Sequence, residues 1–136
     1  MPAELLAAQS VERRTEQWSE MLGRDGLTFV AELDQTVVGF AHAGKSRDAD
    51  LPEVAELYAI YADPSVWDRR VGHALHDAVL DALRAGGFDR CLLWVLEGNQ
   101  RAIGFYERHG WVADGRTKDD VRDGVTLVER RYLLDL

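Results

Sequence analysis

The sequence predicts an α/β domain, residues 1–136, whose mixed central sheet of about six strands is flanked by about three helices. Three observations predict it. Between Glu53 and Leu96 an apolar strand, an amphipathic helix and a second apolar strand follow in the order that makes a parallel pair through a right-handed crossover. Two alternating segments flank a turn at Asp34-Gln35-Thr36, as the arms of an antiparallel hairpin do. Two more strand-like segments close the chain.

The first element is a helix from about Ala3 to Leu22, amphipathic in pattern, with Leu22-Gly23 as its exit. Leu27 to Leu33 and Val37 to Ala43 are the arms of the hairpin, and Gly44 to Pro52, with Lys45, Arg47, Asp48 and Asp50, is a polar surface loop. Glu53 to Tyr61 is the next strand. Asp63-Pro64-Ser65 ends it, because proline has no N–H for a ladder and fixes a turn. The helix that follows, Val71 to Arg84, carries Val71, Leu75, Val79 and Leu83 on one stripe and is closed by Gly86-Gly87. Asp89 to Leu96 holds the unbroken run CLLWVL of a strand covered on both faces. A third helix spans Gln100 to Arg108 and meets Gly110. Trp111 to Asp114 and Val125 to Leu134 are the closing strands, on either side of a charged loop from Gly115 to Gly124.

Sixteen Lys and Arg against 24 Asp and Glu give a formal net charge of -8. Such acidity opposes non-specific nucleic-acid binding and gathers cations at the surface, so a small amine suits it better than DNA. No run nears the roughly 18 consecutive apolar residues of a membrane helix. The N-terminal MPAELLAAQSVERRTEQW has neither a basic leader nor an apolar signal core, so a cytoplasmic location is expected. The lone Cys91 lies in an apolar run, where an inert core thiol is expected. Metal ligands are scarce, and no metal is expected.

Chemistry begins at Arg69-Arg70-Val71-Gly72-His73-Ala74. Where a helix follows a strand through a glycine, the unpaired amides of its first turn point outward with the positive end of the helix dipole, and an anion can dock on them. Gly72 removes the Cβ that would block close approach, and Arg69 and Arg70 add positive charge. One strand later NQRAIGFYERHGW, Asn99 to Trp111, opens the next helix, with Asn99 at its N-cap position. Phe105 and Tyr106 are adjacent on that helix, so their directions differ by about 100° and they cannot both enter one core.

These motifs, with ELYAIYADP before them and GVTLVERRYLLDL in the tail, resemble the GNAT acetyltransferase superfamily in type, order and spacing. The family's pyrophosphate signature is Gln or Arg, two residues, Gly, one residue, Gly or Ala. The resemblance covers Glu53 to Trp111 and extends to the tail. It implies a GNAT fold, in which the Glu53 to Tyr61 strand carries a bulge and the sheet is splayed at the parallel pair. It also implies transfer of an acetyl group from acetyl-CoA, as cosubstrate, to a primary amine by direct attack in a ternary complex. On single residues it implies that the Val71, Gly72, His73 and Ala74 backbone, with Arg69 and Arg70, holds the pyrophosphate. Ile60, Tyr61 and Ala62 would border the thioester slot, where a backbone amide could polarise the carbonyl. Asn99 and Ala102 would meet the pantetheine arm, and Tyr106 would protonate or stabilise the leaving thiolate.

An amine must also lose its proton, which for a lysine-like pKa of ~10.4 costs about 4 kcal/mol near neutral pH. Glu56 is the candidate base, because alternation on a strand puts Glu56, Tyr58 and Ile60 on one face. Glu97, at the end of the neighbouring strand, is held in reserve, and His42, His73, His76 and His109 are weaker candidates. Trp18, Trp67, Trp94 and Trp111 are available to wall an acceptor site. Relative to the family the chain reads as shortened at its N-terminus, and an exposed sheet edge would favour a homodimer. The partners expected are a small-molecule or peptide amine, with neither nucleic acid nor membrane. The alternative on the same fold is a non-catalytic acyl-CoA sensor or structural module, which turnover would distinguish.

Overall fold

The computed structural model describes residues 26–33 and 35–136. In chain order these form β1 (Gly26–Leu33), β2 (Thr36–Lys45), β3 (Ala55–Ala62), a 3-10 segment (Pro64–Arg69), α1 (Val71–Ala85), β4 (Arg90–Leu96), α2 (Gln100–Arg108), β5 (Val112–Arg122) and β6 (Val125–Asp135). One six-stranded sheet takes the order β1-β2-β3-β4-β6-β5. Its mixed character is as the sequence predicts, with β3 and β4 parallel and the other neighbours antiparallel. Two of the three expected helices stand among the described residues. The helix placed from Ala3 to Leu22, with Trp18, lies outside them.

The apolar stripe of α1 sets the core. Val71, Leu75, Val79 and Leu83 are all buried, packed in one cluster with Ala41, Ala43, Leu57, Cys91 and Leu93 from the sheet. Each side chain of this size stabilises by about 1.5–3 kcal/mol when fully buried. Gly39 on β2 is glycine for this reason: a Cβ there would lie 2.7 Å from the Tyr61 carbonyl oxygen and 3.1 Å from Leu75 Cδ1. Cys91 sits in the core as expected, and burial pushes its thiol up to about 12, so it stays an unreactive thiol.

β3 decides where chemistry can happen. Against β2 the register passes from His42↔Ala59 to Ala43↔Leu57, one step on β2 and two on β3, so Tyr58 is the extra residue of a bulge. Against β4 only Ala55↔Cys91 and Glu56↔Leu92 pair. Beyond that second pair the two strands part, leaving β3 with a free arm. The bulge and the splay implied by the resemblance are thus both present.

The bulge also corrects one expectation. Ala55 and Leu57 belong to the helix-side core before it, and Ile60 and Ala62 pack against that core after it. Alternation is reset at Tyr58, so Glu56 and Tyr58 face the opposite side of the sheet from Ile60.

Gly115 to Gly124, read as a charged loop, is mostly strand. Thr117 to Arg122 pair with Arg130 to Val125, and the connection shrinks to Asp123-Gly124, both at positive φ, 51° and 79°. Asp-Gly is favoured in such two-residue hairpin turns. No residue of β5 is buried, so the segment has no apolar face to produce alternation. Among the described residues no helix is long and apolar enough to cross a membrane.

Candidate active site

Two hollows lie on opposite faces of the sheet beside the fork between β3 and β4. The first, about 480 Å³, is bounded by the free arm of β3, the start of α1 and one side of α2. Three guanidinium groups line it, those of Arg70, Arg101 and Arg108, and none of its lining residues is a carboxylate. In a chain of net charge -8 this is a marked local reversal.

The start of α1 adds to it. Arg70, at φ 58°, is the left-handed residue between the 3-10 segment and α1; its own side chain makes no cap hydrogen bond and no acid stands in the first turn, so among the described residues nothing in that turn offsets the positive end of the dipole. The Ala74 N–H donates to the Arg70 carbonyl at 3.0 Å, closing the first helical turn, so the donor set expected over Val71 to Ala74 ends at His73. A Cβ on Gly72 would meet, among the described residues, only the ring of Phe105 at 3.7 and 3.8 Å. That is ordinary contact, so packing does not demand glycine; its bareness keeps the wall of the hollow open.

Across the hollow, Asn99 Oδ1 accepts the Ala102 N–H at 3.2 Å. It is both the N-cap of α2 and a lining residue. The Trp67 indole donates to the Ala62 carbonyl at 2.8 Å, and the Arg101 guanidinium lies 3.5 Å from the centre of the Trp67 ring, a cation–π contact that fixes one wall. Tyr106 is buried but lines the hollow, and its hydroxyl has no hydrogen-bond partner among the described residues. Burial pushes the phenol up to about 12, so it remains a proton-bearing donor across the neutral range.

Behind this wall three histidines meet. His109 Nδ1 donates to the Phe105 carbonyl at 2.7 Å, which leaves its Nε2 to accept from His73 Nδ1 at 2.9 Å. His73 Nε2 stands 3.1 Å from Asp77 Oδ2. The Trp111 indole N–H can only donate, so His76 Nε2 accepts it at 2.9 Å. The His76 proton is therefore on Nδ1, which is buried without a hydrogen-bond partner among the described residues, the nearest carboxylate oxygen being Asp77 Oδ1 at 3.7 Å.

Burial first, then the neighbouring His109, pushes His76 down to about 4, against the opposite pull of Asp77. The unfolded chain takes up this proton near pH 6.5 and the folded one only near 4, so the unfolded state holds more protons in between. Stability is full above about pH 6.5 and falls as the pH drops towards 4, by about 3 kcal/mol at most. Thermal unfolding over that range should show a smaller acid-side loss in His76→Gln than in the wild type. Parallel curves would remove His76 as the cause.

The second hollow, about 390 Å³, lies on the other face. Its lining includes Glu56 and Tyr58 of β3, Trp94 of β4, and Lys118, Asp119, Asp120 and Glu129 of the β5–β6 hairpin. Glu56, in the last ladder pair before the fork, is buried and accepts the Arg47 backbone N–H at 2.8 Å and its Nη2 at 2.6 Å. Arg47 in turn lies 4.4 Å from the centre of the Tyr58 ring, and the Tyr58 hydroxyl donates to the Lys45 carbonyl. Among the described residues Oε1 of Glu56 accepts only the backbone bond, which leaves that oxygen a lone pair.

The first hollow brings together Ile60, Tyr61, Ala62, Arg70, Gly72, His73, Asn99, Ala102 and Tyr106. Val71 is buried in the core, and Ala74 is turned away from the lining. The side chain of Arg69 is not among those the structure describes. Glu97 lies apart in a groove at the end of β4, 3.6 Å from Arg130. His42 is held at 2.8 Å by Thr28, and Trp111 is a core residue. Arg101 and Arg108 escaped the sequence reading. They are seven residues apart, two helical turns, and that spacing was the signal available.

The Acetyltransferase (GNAT) family model matches residues 3–111. Among curated proteins, a mycothiol acetyltransferase of Thermobispora bispora is 36% identical over 109 residues, 75% of this chain and 35% of the relative. The chain thus spans about a third of that protein's length. Among solved structures, a ribosomal-protein-alanine N-acetyltransferase from Brucella melitensis superposes with a TM-score of 0.74 at 24% identity, over 92% of this chain and 78% of that one. A putative streptothricin acetyltransferase from Bacillus anthracis, crystallised with acetyl coenzyme A, superposes with a TM-score of 0.71 at 21% identity, over 84% and 64%.

Proposed function

The chain belongs to the GNAT acetyltransferase family, and on that premise we propose that it moves an acetyl group from acetyl-CoA, its cosubstrate, to a primary amine by direct attack in a ternary complex. The observation that carries this reading is the separation of charge across the sheet. Arginines and the start of α1, with no acid in its first turn, line one hollow, carboxylates predominate in the other, and the β3–β4 fork lies between. An anionic donor and a cationic acceptor would each find its own side. The names of the curated relatives and the acetyl-CoA complex of a structural neighbour support the same reading.

Acetyl-CoA supplies an acetyl group already activated as a thioester. The first turn of α1 with Arg70, Arg101 and Arg108 would hold its phosphates, the charge-assisted contacts that such anions favour. Beyond Glu56 the edge of β3 that faces β4 has no further ladder pair with it, and an extended arm could lie along that edge as an added strand. Tyr106, whose hydroxyl has no hydrogen-bond partner among the described residues, would donate a hydrogen bond to the sulfur as negative charge develops there. With its acidity so weakened by burial, it serves as a hydrogen-bond donor more readily than as a full acid. From the opposite face, Glu56 would draw the amine towards the fork and accept its proton on Oε1, with Arg47 still bonded to Oε2.

The test is a thiol-release screen of primary amines with acetyl-CoA, beside calorimetry of Gly72→Glu. The wild type should release thiol only when an amine is present. Gly72→Glu has room to fold but puts bulk and negative charge where the phosphates would lie, so its acetyl-CoA affinity should fall by tenfold or more, about 1.4 kcal/mol at least. Undiminished binding by that variant would reject the cradle. Tight binding by the wild type with no thiol release under any amine would convert the reading to a non-catalytic sensor.

A further inference from the structure

We propose that Lys118 is itself an acetylation site, modified within its own chain, because its amine stands where the acceptor's amine would stand. This rests on the acetyltransferase reading above. The chain has only two lysines among its 16 basic residues. Both are exposed, but Lys45 stands at the end of β2, whereas Lys118 places its Nζ at the acidic hollow, 4.2 Å from the centre of the Trp94 ring and 3.7 Å from Glu129 Oε2. An aromatic face for the cation and a carboxylate for its charge are the contacts a substrate ammonium requires.

The cage lies close to the fork. The Trp94 indole donates to Asp48 Oδ2 at 3.0 Å, which fixes the ring. Trp94 lies two residues beyond Leu92, the last β4 residue paired to β3, or about 7 Å along the strand. Glu56, the partner of Leu92, lines the same hollow as Lys118, and the flexible four-carbon stem of Lys118 lets its amine swing towards the gap where the acetyl group would emerge.

The step balances without further reagents. The Lys118 ammonium gives one proton to Glu129 and on to water, and its neutral Nζ forms a bond to the acetyl carbon. The carbon–sulfur bond breaks with its electron pair going to sulfur, held by the Tyr106 hydroxyl. The second amine proton is lost as the thiolate is protonated. The products are acetyl-lysine and free thiol, with one proton released.

The experiment incubates the purified protein with acetyl-CoA and no added amine, then maps the acetyl group by peptide mass spectrometry. Lys118 should carry it, with Lys45 modified at least about tenfold more slowly, since proximity favours the seated amine. The rate constant should not change when the protein is diluted. Lys118→Arg should remove the label from that peptide, and Tyr106→Phe should slow labelling by the same factor as it slows turnover of an added amine. Equal labelling of both lysines, a rate that rises with protein concentration, or an unmodified Lys118 in protein that acetylates added amines would each overturn the inference and leave the function standing. Failure to bind acetyl-CoA or to acetylate any amine would overturn the function itself, and the inference with it.

Discussion

Tyr106→Phe should lower kcat by about 10²- to 10³-fold, the usual loss when one donor to a developing anion is removed, with acetyl-CoA affinity changed by less than about twofold. The change is clean because the hydroxyl has no hydrogen-bond partner among the described residues, while the ring packs against Phe105 and Trp111 with centroids 5.6 and 6.0 Å away. Phenylalanine preserves that packing, so the melting temperature should barely move. Steady-state kinetics with a fixed amine, paired with calorimetry of acetyl-CoA, separates the two terms. A variant with wild-type kcat would exclude Tyr106 from the reaction. Equal losses in affinity and turnover would make it a binding residue instead.

Arg131→Met should lower the free energy of unfolding by about 3 kcal/mol, at the low end of what breaking a buried ion pair costs. Arg131 is 5% exposed. Its Nε donates to Asp114 at 2.6 Å, and Nη1 to Asp48 at 3.1 Å and Asp50 at 3.0 Å. Burial alone would lower its pKa, but the three carboxylates outweigh this and hold the guanidinium charged.

Methionine fills the volume but leaves three acidic groups facing one another. Asp48 and Asp50 belong to the loop between β2 and β3, while Asp114 and Arg131 belong to β5 and β6. The cluster therefore ties together two half-sheets that share only two ladder pairs. Urea unfolding should show the loss as a shifted midpoint. Asp50→Asn, which leaves two carboxylates on Arg131, should shift the midpoint far less, because Asp50 is exposed and its charge is screened by water. A comparably small loss in Arg131→Met would mean that water already carries these charges.

Much of the fold was legible because burial leaves a pattern. The four-residue stripe of α1 and the run CLLWVL each have a face, or two, that must avoid water, and both were placed within a residue or so of their observed limits. β5 was not legible as a whole because it is polar on both faces, so nothing in its pattern distinguishes strand from loop; the Asp123-Gly124 turn was its one local signal. Glu56 was assigned to the wrong face because alternation assumes an unbroken ladder, and a bulge at Tyr58 depends on the partner strand. The anion-lined and cation-lined sides could not be read from the total charge of -8. Arg70, Arg101 and Arg108 are spread over 39 positions of sequence and converge only when α1 and α2 pack beside the free arm of β3.

The fork between β3 and β4 bears on inhibitor design. If donor and acceptor are drawn in from opposite sides of a layer one strand thick, a compound made by joining the two cannot dock from either side alone. One of its ends must be narrow enough to thread the aperture, or the two half-sheets must swing apart to admit it. A conjugate with a slender amine tail should then associate quickly, and one with a bulky tail slowly, even when both fit equally well once seated.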